Sequence, residues 1–193
     1  HEVREMAKIN GLSNYNKKDS TGICFIGERP FREFLEKYLP AQPGPMIDNN
    51  DNVIGQHQGL MYYTIGQRQG LNIGGRKESD NKPWYVLNKD LASNTLIVVQ
   101  GDHDDLYARS LIVSDFYWIG TAKELILSAK VIHCHGKVRY RQPDQACQAE
   151  LIEGNKIKVI FNEPQRAITE GQAAVLYIDD RCLGGGSIDE VIK

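Results

Sequence analysis

Residues 146–161 read ACQAELIEGNKIKVIF. Two runs of strand-forming character, Ala146–Ile152 and Lys156–Phe161, flank Glu153-Gly154-Asn155. Those three residues favour a tight turn, so the segment predicts an antiparallel hairpin. The same rhythm extends in both directions. Ser110–Val113, Leu125–Tyr140, Ala173–Ile178 and Arg181–Gly185 read as further strands, with turns at Pro143-Asp144 and Asp179-Asp180. About six short antiparallel strands with regular turns predict a small closed barrel.

Upstream, the strands are shorter. Met46–Asp48 and Val53–Ile54 are separated by Asn49-Asn50-Asp51-Asn52, residues that tolerate left-handed backbone. Trp84–Leu87 and Thr95–Val99 form a second pair around the polar turn Asn88–Asn94. The N-terminal part is helical. Val3, Met6, Ala7 and Ile9 share one side of a helix over 2–10, which Gly11 ends. Because the chain opens inside a helix, further sequence is expected before residue 1. Pro30 suits the first turn of a second helix, PFREFLEKYL, with Phe31, Phe34, Leu35, Tyr38 and Leu39 on one face. Pro40 closes it, and Ala41–Pro45 reads as a linker. The expected fold is mainly β with a short α-helical N-terminal part. A small β-rich central domain precedes a β-barrel, with boundaries at 1–39, 40–108 and 109–193.

The 193 residues are 41% hydrophobic and 25% charged, a composition that can bury a core. No apolar run approaches the roughly 20 residues of a membrane helix, so no membrane partner is expected. The formal net charge of −2 argues against a general polyanion binder but leaves room for a local basic face. The four cysteines, Cys24, Cys134, Cys147 and Cys182, form no CxxC pair. They are read as mostly reduced, cytosolic thiols.

Cys24 lies between Gly22 and Gly27, ahead of a helix start, with Lys17, Lys18 and Arg29 nearby in sequence. That setting lowers a thiol pKa. Its neighbours Ile23, Phe25 and Ile26 suit an inert buried thiol equally well. Cys134, Cys147 and Cys182 fall in strand patterns and read as structural. The segment Tyr63–Gly75 is rich in glycine but lacks a GxxxxGK[ST] pattern, so it reads as a loop needing tight backbone turns. Gly184-Gly185-Gly186 reads as a bulge or turn. His133 and His135 would share a strand face, but two imidazoles make a poor zinc site, and no metal is expected. Period-two alternation would place Lys137, Arg139 and Arg141 on one strand face, opposite Val138 and Tyr140. Such a row suits successive phosphates, or is an ordinary solvated face.

At KKDSTGICFIGER the chain resembles the bacterial tRNA-specific 2-thiouridylases around their second catalytic cysteine. The resemblance continues through YLPAQPG, GLMYYTIGQRQGLNIGG, PWYVLNKD, KVRYRQPD and CLGGG, essentially the whole chain. It implies three parts: the tail of an ATP-pyrophosphatase-type catalytic domain, a small central domain, and a translation-factor-like β-barrel. It also implies that Cys24 carries a persulfide. That sulfur goes to C2 of the wobble uridine at position 34, after ATP-dependent adenylation. A partner cysteine, absent here, would complete release and leave a disulfide. ATP with Mg would serve the full-length enzyme at a site not in this chain, since no SGGxDS-type loop is present. Arg139, Tyr140 and Gln172 match tRNA-contacting positions, with Lys137 and Arg141 as additional candidates. The implied partners are tRNA and a sulfur-relay donor protein, in the cytoplasm. A non-catalytic tRNA-binding module is the alternative for the isolated chain. A cysteine hydrolase would need His57 or His103 beside Cys24, and nothing in the sequence orients them there.

If Cys24 is the activated thiol, it is the first of the four to be alkylated. Limiting iodoacetamide followed by peptide mass mapping checks this. Faster labelling of Cys134, Cys147 or Cys182 would remove the assignment.

Overall fold

The computed structural model describes residues 1–16, 31–73, 82–140 and 142–193. Helices α1 (Glu2–Ile9) and α2 (Phe31–Glu36) belong to one unit, His1–Ala41. In α1, Val3, Met6 and Ile9 are exposed and no residue is buried. Gln42–Lys193 form the second unit, which contains both the sheet and the barrel described below.

The sheet begins with β1 (Gly44–Ile47) and β2 (Val53–His57), an antiparallel hairpin. Its turn is made by Asp48, whose Oδ1 accepts from the amides of Asn50 at 2.8 Å and Asn52 at 2.9 Å. Asp51 takes φ 61°, as a turn of Asn and Asp permits. Strands β3 (Trp84–Asp90) and β4 (Thr95–Gln100) form a second antiparallel pair. Strand β3 runs three residues further than its apolar stretch, through Asn88–Asp90. Parallel pairing of β1 with β4 gives the order β2-β1-β4-β3. Met46, Ile54, Tyr63, Leu71, Val86, Leu96 and Val98 fill its core.

His57 is fully buried at the end of β2. Its Nδ1 accepts from the Gly59 amide at 3.0 Å, which places the proton on Nε2. Nε2 then donates to the Asn94 carbonyl at 2.9 Å. The ring thereby ties β2 to the β3–β4 turn. At Gly44, a Cβ would sit 2.7 Å from this Nε2, so the strand beside the ring admits only glycine.

The barrel follows: β5 (Tyr107–Trp118), α3 (Ala122–Ala129), β6 (Val131–Lys137), β7 (Gln145–Ile152), β8 (Lys156–Arg166), β9 (Ala173–Ile178) and β10 (Arg181–Ile192). The six strands close in the order β10-β5-β8-β7-β6-β9. Leu111, Val113, Ile157, Val159, Phe161, Leu176, Leu183 and Ile188 point inward. Strands β5, β8 and β10 are much longer than their apolar cores suggest. Each carries a register irregularity, and such bulges let a long strand bend around a small barrel.

The expected strand Leu125–Tyr140 is corrected at both ends. Residues 122–129 are helical because Ala122 and Ile126, one turn apart, bury themselves against the barrel core. Lys130, at φ 63°, reverses the chain into β6, which ends at Lys137. Beyond it, Val138 donates its amide to Gln142 Oε1 at 3.2 Å, and Gln142 N bonds the Arg139 carbonyl at 3.1 Å. Burial still alternates through Val138 and Arg139, and a turn over 139–142 then ends the expected strand.

Replacing His57 by Leu keeps the burial but leaves the Gly59 amide and the Asn94 carbonyl without their partner. The expected cost is about 2–4 kcal/mol of stability, read by urea unfolding. A change within about 0.5 kcal/mol would show that the ring only fills space.

Candidate tRNA-binding groove

The turn after β6 determines what its basic residues can reach. Lys137, still on the strand, pairs with Asp144 Oδ1 at 2.8 Å and lies 5.4 Å above the Tyr177 ring. The hydrogen bond to Asp144 holds its ammonium above the usual lysine range. Val138 is buried. Arg139 lies past the strand's end and is exposed, and Tyr140 stands in the turn, 95% exposed. Lys137 and Arg139 flank buried Val138 as expected, but the strand ends at Lys137, and Tyr140 is exposed rather than turned inward with Val138. Arg141 and Cys24 lie outside the described residues.

The turn is held by glutamines. Gln142 Nε2 donates to Gln165 Oε1 at 2.6 Å, and Gln165 Nε2 donates to the Glu163 carbonyl at 2.8 Å and to Gln145 Oε1 at 3.3 Å. Gln165 is buried, so this network fixes the base of the turn while its tip stays open.

Arg139 Nη2 makes two hydrogen bonds, to the Ala167 carbonyl at 3.0 Å and to the Ile65 carbonyl at 3.2 Å. Ala167 lies just beyond β8 in the barrel, whereas Ile65 belongs to the loop that precedes β3. Burial, and then the nearby Arg166 charge, lower the Arg139 pKa. Arg166 itself stacks over the Tyr85 ring at 4.4 Å. Gln172 sits in the turn between β8 and β9. Its amide bonds the Thr169 carbonyl at 3.2 Å, its carbonyl accepts from Ile188 N at 2.8 Å, and the residue is exposed.

Arg139, Tyr140 and Gln172, far apart in sequence, line one groove of about 370 Å³. Thr169 lines the barrel side as well, and Thr64–Gln67 provide the other side. The sequence pattern did not reveal that opposing wall. Its glycines serve tight turns: Gly66 has φ 78° and Gly70 φ 79°. Gly66 N bonds the Val86 carbonyl at 2.7 Å, Val86 N bonds the Gln67 carbonyl at 3.0 Å, and Gln67 Oε1 accepts from Thr64 N at 3.0 Å. The loop is thus an ordered extension of the sheet.

Cys134 and Cys147 face each other across β6 and β7 in the barrel core, their sulfurs 3.6 Å apart. Donating its thiol proton to Cys134, and then burial, push the Cys147 pKa up, while accepting that proton lowers that of Cys134. Cys182 is half-buried, and all three are free thiols. His133 and His135 are exposed on the outer face of β6. Among the described residues, no group of three or more His, Cys, Asp or Glu side chains could hold a metal ion. No helix among them is long and apolar enough to cross a membrane.

Three family models tile the chain. A tRNA methyl transferase HUP domain matches residues 1–28, a tRNA methyl transferase PRC-barrel domain matches 32–100, and an aminomethyltransferase beta-barrel domain matches 108–188. The tRNA-specific 2-thiouridylase MnmA of Francisella tularensis subsp. tularensis is 55% identical over 97% of the chain. The same enzyme of the subspecies holarctica is also 55% identical, and that of novicida 54%, over the same share. The chain spans about half the length of these curated relatives, 51% in each case. Three consecutive domain matches and an identity above one half in 97% of its residues lead to one conclusion: the chain belongs to the tRNA-specific 2-thiouridylase family.

Proposed function

We propose that this chain is the tRNA-holding and sulfur-delivering part of a 2-thiouridylase. The observation that carries the reading is the groove in which Arg139, Tyr140 and Gln172 meet. A fully exposed tyrosine on a turn offers a stacking platform and Gln172 an uncharged donor and acceptor, while Arg139 lines the groove beside them as part of the tRNA-binding set. The names of the relatives supply the substrate class, tRNA. Arg141 is proposed as a further backbone contact. Lys137 contributes only if it leaves Asp144.

Cys24 is proposed as the persulfide-carrying cysteine. Its thiolate takes the outer sulfur of a relay protein's persulfide, leaving the relay thiolate, and that sulfur then bonds C2 of the adenylated wobble uridine, from which AMP leaves. A second cysteine, outside this chain, then attacks the inner sulfur, frees the thiouridine and leaves a disulfide. The chain is read as cytoplasmic and divided at 1–39, 40–108 and 109–193.

The glycine-rich segments among the described residues do not fit ATP. Gly66 and Gly70 shape a turned loop, and added Cβ atoms at Gly184 and Gly186 would strike the Tyr117 and Ser114 carbonyls. ATP and Mg are therefore placed elsewhere in the full-length enzyme. A second reading, a tRNA-binding module without activity of its own, follows for the isolated chain from the same groove.

Two measurements test the reading. In a full-length enzyme carrying this sequence, Cys24→Ser abolishes 2-thiouridine while ATP-dependent AMP formation on tRNA persists. Substantial 2-thiouridine from that variant would sink the cysteine assignment. Tyr140→Ala and Gln172→Ala each remove an uncharged contact. Both weaken tRNA binding, Tyr140→Ala by about tenfold, with the salt slope unchanged. Wild-type affinity in both variants would move the tRNA site off this groove.

A further inference from the structure

The geometry points to Arg139 as a positioning residue that bolts the Thr64–Gln67 loop of the sheet to the barrel, making that loop the second wall of the tRNA groove. This inference rests on the tRNA reading for the groove's ligand. Its structural half stands on the hydrogen bonds alone.

The two protons of Arg139 Nη2 are both used, one on the Ile65 carbonyl at 3.2 Å and one on the Ala167 carbonyl at 3.0 Å. Those carbonyls belong to different lobes, so a single nitrogen crosses the seam between sheet and barrel. The barrel acceptor is itself immobilised. Ala167 N bonds the Leu106 carbonyl at 2.6 Å, and Thr169 Oγ1 donates to the Ala167 carbonyl at 3.1 Å. The sheet acceptor sits beside Gly66, where an added Cβ would lie 2.5 Å from Ala167 Cβ and 3.3 Å from Arg139 Nη2. Only a glycine lets the loop come this close. Arg166, stacked on Tyr85 of β3, crosses the same seam. A phosphate ligand would have to use the remaining edge of the Arg139 guanidinium, because its Nη2 is occupied. The loop's own polar groups are mostly satisfied internally, Gln67 Nε2 by the Gln69 carbonyl at 2.8 Å among them. The loop therefore acts as a shaped wall rather than as a set of free donors.

Arginine suits this task because its guanidinium is planar, rigid and weakly hydrated, so its fixed donors hold two acceptors at little desolvation cost. Lysine keeps the charge but not that geometry, which separates a bolt from a phosphate contact.

The test is hydrogen exchange on this chain without RNA, together with tRNA binding across a salt series. In Arg139→Ala, the amides of Gly66 and Val86 exchange about tenfold faster, whereas those of β7 and β8 stay protected and certify an intact barrel. Affinity for tRNA falls about tenfold with the salt slope unchanged within half a unit, and Arg139→Lys restores neither quantity. Gly66→Ala, which opens the seam from the other side with Arg139 present, gives the same loss of affinity at unchanged slope. Unchanged exchange at Gly66 and Val86 in Arg139→Ala would overturn the bolt. So would rescue of affinity by lysine, or a slope reduced by about one unit, since each marks a phosphate contact. The two readings fail separately: Tyr140→Ala and Gln172→Ala with wild-type tRNA affinity strike the tRNA reading, and the RNA-free exchange result does not depend on it.

Discussion

The barrel closes through β10, and closure leaves no room for side chains at its tightest crossing. Cβ atoms at Gly184 and Gly186 would collide with backbone carbonyls of β5, and one at Gly185 would lie 2.8 Å from the Ala174 carbonyl of β9. Three consecutive glycines let β10 pair with β5 on one side and β9 on the other. The β8–β9 turn that carries Gln172 then hydrogen-bonds to Ile188 of β10, so the groove's barrel side is fixed by closure. Full pairing also removes exposed strand edges, which are the usual weakness of small β structures.

The groove illustrates how a fold divides the work of recognition. Its supporting parts are neutral and hydrogen-bonded to one another: the glutamine network beneath the turn, centred on buried Gln165, the half-exposed loop bonded to β3, and the Ala167 carbonyl. Its outward parts, Tyr140 and Gln172, are exposed and contribute little to the core. Residues supporting the site and residues available to a ligand are therefore largely different sets, with Arg139 among the supports.

Strand content was legible because apolar runs and turn residues alternate at short intervals, as at Ala146–Phe161. Two features escaped that reading. Helix α3 reads as strand because Leu125, Ile126 and Leu127 form an apolar run without a marked period, and of the three only Ile126 is buried. The β6 turn escaped because KVRYR alternates well, yet its end is set by Gln142 and by Gln165, more than twenty residues later. The groove was half legible. Family resemblance marked Arg139, Tyr140 and Gln172, but the Thr64–Gln67 wall is joined to them by backbone carbonyls, which leave no mark on side-chain pattern.

That dependence on carbonyls determines which positions tolerate sequence drift. The Arg139 bond to residue 65 is indifferent to the side chain there, since every amino acid offers the same oxygen. Residue 167 is held by shape instead. It is buried, has φ 54°, and its Cβ abuts Gly66, so only very small residues fit. Of the three residues joined at this seam, the arginine is restricted by its guanidinium, the alanine by its volume, and the isoleucine not at all by the bond it shares.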